Sequence, residues 1–319
     1  MSSQEEATRE VEVAEKDMLS PDIVSLTLRP ASGEPLPSWA PGAHIDVLLP
    51  GDVTRQYSLC GSVEDLTSYR LGVLRDPASR GGSTYIHDSV AVGDRLTIRG
   101  PRNHFELAEA ERYIFAAGGI GVTPLIPMAM EALRNGTDFT FLFCARSRQA
   151  MAYLPELQEH LGDHLIVNAD DESGLFDLAA YLRDVQPETM VYACGPKPFL
   201  DATTRATTAW PSGWVRFEHF EPLEFDDSTN VAFEVELANS GRVLTVPEDR
   251  SILSVLQDVG VRVLTSCTEG TCGTCEIAVL GGGPIDHRDA VLSDEEHASG
   301  EMMMVCVSRC KGGRLILDL

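Results

Sequence analysis

Three cysteines within nine residues constrain this chain more than any other feature of it. They stand at Cys267, Cys272 and Cys275, a C-x4-C-x2-C spacing. A loop that carries three thiols so closely has to wrap around a common centre, and this is the spacing by which one loop offers three thiolates to a [2Fe–2S] cluster. Two irons need a fourth thiolate, which must come from elsewhere. Cys306 is the candidate; Cys310 competes but would demand a different loop reach. Gly270 and Gly273, interleaved with the cysteines, let the backbone close up. The competing reading is zinc, but zinc sites show paired C-x2-C or Cys/His spacings, and the sequence has no second pair. Cys60 and Cys144 read as small buried apolar residues.

With 319 residues the chain has room for two or three domains with their own cores. Residues 1–108 alternate in short β-rich runs, with Val11, Val13, Leu26 and Leu28 in the first two and His44 to Leu49 in a third. Gly and Pro punctuate them, as Pro50-Gly51 and Gly100-Pro101 do, which predicts an antiparallel barrel. Near Arg112 the pattern changes. Tyr113 to Ala117 and Phe139 to Cys144 are continuous apolar runs, followed by Leu165 to Val167 and Met190 to Ala193, with a helical stretch over Ile126 to Leu133. Strands alternating with helices predict an α/β domain on a parallel sheet over 109–225. An acidic stretch, Glu221 to Asp227, reads as a linker. Beyond it, over 231–319, Val231, Phe233, Val235 and Leu237 alternate, Asn239-Ser240-Gly241 turns the chain, and Ser251 to Asp258 predicts a helix ended by Gly260. A hairpin, a helix and the cysteine loop make a small α+β domain.

The formal charge of −24 argues against nucleic acid and anionic membrane surfaces as partners. No run of 18 apolar residues occurs, and Met1 to Arg9 is polar without an apolar signal core, so a cytoplasmic protein is expected.

Two glycine-rich segments suit anions. Gly118-Gly119-Ile120-Gly121 follows a buried strand and opens a helix, where glycines let phosphates approach the helix N-terminus, although this is not the G-x-G-x-x-G fingerprint. Arg80-Gly81-Gly82-Ser83-Thr84 combines amides and two hydroxyls at another helix start, although on sequence alone an ordinary glycine turn with a Ser/Thr N-cap is the readier explanation. Arginine, as at Arg55, forks onto phosphate oxygens, and an aromatic, as at Tyr57, covers a flat ring.

Three motifs in order carry a resemblance. Arg55-Gln56-Tyr57-Ser58-Leu59, Gly118 to Pro124 and Cys194-Gly195-Pro196 resemble the ferredoxin–NADP reductase superfamily. The C-terminal unit, with Cys306-Val307-Ser308-Arg309, resembles plant-type ferredoxins. The domain order is similar to that of the phthalate dioxygenase reductase and vanillate O-demethylase reductase family. It implies a flavin-binding antiparallel β-barrel, an α/β parallel-sheet nucleotide domain and an α+β β-grasp ferredoxin domain. It further implies that Arg55, Gly81, Gly82, Ser83 and Thr84 hold the flavin phosphate, that Tyr57 and Phe220 pack on the flavin, and that Ser58 hydrogen-bonds near flavin N5. Gly118, Gly119, Gly121, Thr123 and Pro124 bind the nicotinamide nucleotide, with Cys194, Gly195 and Pro196 near the nicotinamide and Ser147 and Asp171 by the adenosine ribose. Ser58 and Cys194 are therefore the candidate catalytic residues. Close relatives with this domain order, which share Pro101-Arg102-Asn103-His104-Phe105, imply FMN rather than FAD. Arg146 and Arg148 would suit a 2′-phosphate, but Asp170, Asp171 and Glu172 would repel one, so NADH is expected over NADPH. The implied activity is an NADH-dependent reductase, monomeric, passing electrons to a Rieske-type terminal oxygenase. A stand-alone diaphorase or flavin reductase and a non-turnover redox sensor are the alternatives.

Overall fold

The structure, a computed structural model, describes residues 7–77, 79 and 81–319. Residues 1–6 of the polar N-terminus, and Arg80 ahead of the Gly81-Gly82 turn, lie outside the described residues. The chain divides into two compact units, one holding residues 7–218 and the other 219–319.

The first unit begins with six strands: β1 (Thr8–Ser20), β2 (Ile23–Pro30), β3 (His44–Leu49), β4 (Val53–Ser58), β5 (Tyr69–Leu74) and β6 (Arg95–Arg102). They pair antiparallel in the order β4-β3-β6-β1-β2-β5. A bridge between Leu59 and Leu71 joins the two ends, so the sheet closes into the expected barrel. Every second residue faces inward, and Val11, Val13, Leu26, Leu28, Ile45, Val47, Leu71 and Ile98 are fully buried there. Helix α1 (Gly82–Asp88) plugs the barrel with Ile86. Lys16 Nζ donates to the carbonyls of Ile86, His87 and Val90, at 2.7–2.9 Å, satisfying the end of α1 with the charge its dipole favours.

The chain then builds a parallel sheet: β7 (Arg112–Gly118), α2 (Val122–Asn135), β8 (Asp138–Ala145), α3 (Leu154–Leu161), β9 (Leu165–Ala169), α4 (Asp170–Ser173), α5 (Leu178–Tyr181), β10 (Thr189–Cys194), α6 (Lys197–Ala206) and β11 (Val215–Glu218). The order is β11-β10-β7-β8-β9, all parallel. Both faces are covered, which is why the strands are continuous apolar runs; Phe115, Phe141, Phe143 and Tyr192 are fully buried. From β7 the chain winds outward to β9, then crosses back to place β10 on the other side of β7. That reversal opens a crevice at the carboxyl ends of β7 and β10. Helix α2 starts four residues earlier than its apolar pattern suggests, at Val122 rather than Ile126. Pro124 falls in the first turn, where an N–H has no intrahelical partner, and Pro127 forfeits a single bond.

The second unit comprises β12 (Phe233–Leu237), β13 (Arg242–Val246), α7 (Ile252–Asp258), β14 (Glu276–Gly282), β15 (Ile285–Asp286), α8 (Asp294–Ser299), β16 (Met302–Met304), β17 (Arg309–Cys310) and β18 (Arg314–Leu317). Its mixed sheet runs β13-β12-β18-β14-β16, with β12 parallel to β18, and β15 pairs separately with β17. Ser251 is the N-cap of α7, its hydroxyl accepting from Ser254 N at 3.1 Å. Leu256 of the helix is buried with Val235, Met303 and Leu315, which closes the α+β core.

Candidate functional site

Strand pairing assembles the four thiols. Cys275 sits one residue before β14, and Cys306 two residues after β16. These strands pair antiparallel with Glu276 opposite Met304, which carries Cys275 to the side of Cys306; Val305 N donates to Cys275 O at 3.3 Å. The irregular stretch between α7 and β14 then folds Cys267 and Cys272 over them. Cys267 and Cys272 share a hydrogen bond, as do Cys275 and Cys306. Cys310 is elsewhere: it lies in β17 opposite Ile285, and its thiol donates to Gly312 O at 3.0 Å.

The loop is shaped for a sulfur-liganded centre. Glu269 N donates to Cys267 Sγ at 3.3 Å, Cys267 N to Cys272 Sγ at 3.4 Å, and Thr274 Oγ1 lies 3.2 Å from Cys272 Sγ. Gly270 has φ +75°, and a Cβ there would stand 2.6 Å from Val307 Cγ2 and 3.2 Å from Asp289 Cα. The hydrogen bond from Cys272 brings the Cys267 thiol down to about 5, and that from Cys306 lowers Cys275. The donors Cys272 and Cys306 are pushed up, first by those same bonds and then by burial. Iron would displace the thiol protons on binding all four thiolates. Four sulfurs with backbone donors around them fit a [2Fe–2S] cluster.

In the first unit the crevice at β7 and β10 depends on bare backbone. A Cβ on Gly121 would lie 2.2 Å from Cys194 O, and one on Gly195 would lie 2.9 Å from Gly118 Cα. The loops after the two strands therefore touch main chain to main chain, while Gly119, at φ +54°, faces open space. Thr123 is buried, its hydroxyl donating to Ile120 O at 3.0 Å, and its methyl lies against Gly72 of the barrel. Pro124 is buried beside it in the first turn of α2, and Pro196 is the N-cap of α6.

One group in this crevice escaped the sequence reading. Glu218 ends β11 directly opposite Cys194, and the Cys194 thiol points at Glu218 Oε2 across 3.8 Å. Burial raises the Glu218 carboxyl to about 8. Burial, then the adjacent carboxylate, pushes the Cys194 thiol well up, so it is no thiolate nucleophile. The only sequence sign of this pair was the strand-end position of Glu218.

Ser147 and Asp171 lie just beyond β8 and β9, at the same end of the sheet, and Asp171 N donates to Arg146 O at 3.1 Å. Arg148 Nε is held by both oxygens of Glu172, at 3.1 and 2.9 Å.

On the barrel, β4 aims Arg55 at the start of α1. A Cβ on Gly82 would stand 2.5 Å from Arg55 Cγ, so that glycine makes room for the arginine. Gly81 is the N-cap in the left-handed region, at φ +93°. Ser83 Oγ accepts from Asp76 N and donates to Ser79 Oγ, both at 3.1 Å, and Thr84 Oγ1 also reaches Ser79. Those hydroxyls brace the turn. Tyr57 is half-buried against the barrel core and burial pushes its phenol up. Ser58 is buried opposite His44, whose imidazole Nε2 lacks a hydrogen-bond partner and whose pKa falls to about 3, chiefly from burial. Phe220 belongs to the second unit and is 43% exposed.

Residues 235–311 match the 2Fe-2S iron-sulfur cluster binding domain, and residues 115–205 match the oxidoreductase NAD-binding domain. The toluene-4-sulfonate monooxygenase system reductase subunit of Comamonas testosteroni is 44% identical over 97% of this chain and 98% of its own. Phthalate dioxygenase reductase of Burkholderia cepacia is 38% identical over 99% of each chain. A solved phthalate dioxygenase reductase superposes over 100% of both chains with a TM-score of 0.71 at 37% identity. An intact type IV self-sufficient cytochrome P450 monooxygenase matches 98% of this chain with a TM-score of 0.93 at 43% identity; this chain covers 41% of that one. Matched end to end by such relatives, the chain belongs to the phthalate dioxygenase reductase and vanillate O-demethylase reductase family, oxidoreductases that join an NAD-binding domain to a [2Fe–2S] domain.

Proposed function

We propose that this chain is the NADH-dependent reductase component of a Rieske-type non-haem iron oxygenase, of the demethylase or ring-hydroxylating kind. It carries FMN and works as a cytoplasmic monomer. The observation that carries this reading is the pairing, in one chain, of a glycine-lined nucleotide crevice with a four-thiol loop. The first suits a two-electron donor and the second a one-electron carrier. When bound, flavin accepts a hydride's two electrons and releases them singly, and the [2Fe–2S] cluster takes one at a time.

The chain's own residues order and orient. Cys267, Cys272, Cys275 and Cys306 hold the cluster. Arg55, with the amides from Gly81 to Thr84, grips the flavin phosphate, while Tyr57 covers the ring and Ser58 hydrogen-bonds near N5. Gly118, Gly119 and Gly121 let the nucleotide approach; Cys194, small and kept protonated, leaves room for the nicotinamide. Ser147 and Asp171 meet the adenosine ribose. The grip of Glu172 on Arg148 Nε supports NADH, because the carboxylate offsets the arginine's charge and would repel a 2′-phosphate.

The match to the self-sufficient P450 favours a second reading, in which the terminal acceptor is a haem oxygenase. Mixing the reduced protein with purified Rieske and P450 oxygenases separates the two. NADH-driven product from a Rieske partner alone is expected. Product from the P450 alone would transfer the assignment to that class.

A further inference from the structure

The second unit holds a cluster of metal-binding side chains that electron transfer does not use. His287 follows β15, Asp289 lies two residues on, and His297 projects from α8. His297 Nε2 lies 3.3 Å from Asp289 Oδ2, His287 Nδ1 lies 3.8 Å from Asp289 Oδ1, and the two imidazoles stack with centroids 4.4 Å apart. One ligand atom from each residue falls within 4.8 Å of the others. The Asp289 side chain is fully buried, and that of His287 is 10% exposed.

Two features resist a purely structural explanation. Neither ring nitrogen of His287 meets a hydrogen-bond partner, although both are buried. A buried imidazole with both nitrogens idle bears the desolvation cost of a donor and an acceptor, which native interiors rarely tolerate. Second, the carboxylate of Asp289 meets no lysine or arginine among the described residues, and the side-chain nitrogens nearest to it belong to these two imidazoles. Its remaining contacts come from Val291 N, Leu292 N and Ser308 Oγ, at 2.8–3.3 Å, and they fix the carboxylate rigidly.

We infer that His287, Asp289 and His297 form a site for one divalent transition-metal ion, best matched by Zn2+, with water completing the coordination. Two imidazoles and a carboxylate suit zinc and its neighbours, whereas Mg2+ and Ca2+ prefer oxygen ligands. Zinc bonds of about 2.0 Å place tetrahedral ligand atoms about 3.3 Å apart. The His297–Asp289 separation already has that length, and His287 needs to close by a fraction of an ångström to about an ångström and a half. An ion there would tie α8 to the segment that braces the cysteine loop, where Ala290 N donates to Gly270 O at 2.9 Å. None of its three side chains is one of the four thiols.

The test uses the oxidised holoenzyme with its full iron content and Zn2+ as the probe. After equilibrium dialysis, zinc and iron are counted together, and affinity is measured by titration calorimetry. One zinc per chain is expected with iron unchanged. His297→Ala, on an exposed short helix, and separately His287→Ala, should each weaken binding at least about tenfold while the visible spectrum stays intact. Cu2+ in place of zinc should give a paramagnetic resonance signal split by two imidazole nitrogens, lost in His297→Ala. Equal zinc uptake by wild type and His297→Ala would assign the metal to surface carboxylates and overturn the proposal. Zinc gained only as iron is lost would assign it to the cysteines, and no uptake would also overturn it.

Discussion

Gly270→Ala tests the cysteine loop at its tightest point. Two separate penalties are built into that position. The backbone sits at φ +75°, where a residue with a Cβ is strained by about 1–2 kcal/mol. The new methyl would also stand 2.6 Å from Val307 Cγ2, next in sequence to Cys306, and overpacking of this kind costs about 1–3 kcal/mol. Both strains exist in the folded loop and relax when it opens, so they accelerate opening. The assay is loss of the cluster's visible absorbance without oxygen, at a fixed urea concentration. The backbone share alone predicts a rate increase of about 5–30-fold, and the clash adds to it. Adding Val307→Ala separates the two, since it removes the methyl's obstacle but leaves φ unchanged. The double variant should recover part of the loss and still lose its cluster several-fold faster than Val307→Ala alone. A wild-type rate for Gly270→Ala would refute the argument, and full recovery in the double variant would refute its backbone half.

Three further outcomes follow from the same geometry. Cys306→Ala should prevent assembly of a stable cluster, whereas Cys310→Ala should retain it, because the Cys310 thiol is turned to Gly312 O; iron content decides, and the reverse result would exchange the two assignments. Glu172→Ala frees the Arg148 guanidinium and should raise kcat/KM for NADPH about fivefold, about 1 kcal/mol, with little change for NADH; an unchanged preference would exclude Arg148 from cofactor choice. Glu218 has its pKa raised from an ordinary 4.5 to about 8, so the folded state holds that proton more tightly than the unfolded chain. Wild-type stability should therefore fall relative to Glu218→Gln as pH rises from about 4.5 through 8 and level off above; parallel urea midpoints across that range would contradict the burial of this carboxyl.

The layers of the fold were legible because each has its own hydrophobic period. The barrel strands alternate, and Val11, Val13, Leu26 and Leu28 all face inward. The parallel strands are continuous apolar runs because both faces are covered. The cysteine spacing pointed to one loop, with Cys306 as its expected fourth partner, but how the chain brings Cys275 beside Cys306 lies in the register of β14 with β16, a long-range pairing that spacing cannot encode. Prolines hid the first turn of α2. Glu218 and Cys194, 24 residues apart, meet only because β10 and β11 lie side by side in register. Cys60, read as simple packing, lies 3.4 Å from the hydroxyl of Tyr153, which also reaches Ser25 and Leu71 O of the barrel. Arg70 stacks on that tyrosine and forks onto Glu156. These latch residues come from distant segments and leave no local pattern. The triad His287, Asp289 and His297 is hidden in the same way, with α8 returning one imidazole to the other.

The central claim is that electrons run from NADH through a flavin to the four-thiol centre within this one chain. Anaerobic NADH titration of the purified protein, followed by its visible spectrum, tests it most directly. The account predicts that flavin and iron–sulfur bands bleach together in the wild type, and that the flavin band alone bleaches in Cys306→Ala. Flavin that bleaches while the wild-type cluster bands persist would contradict it.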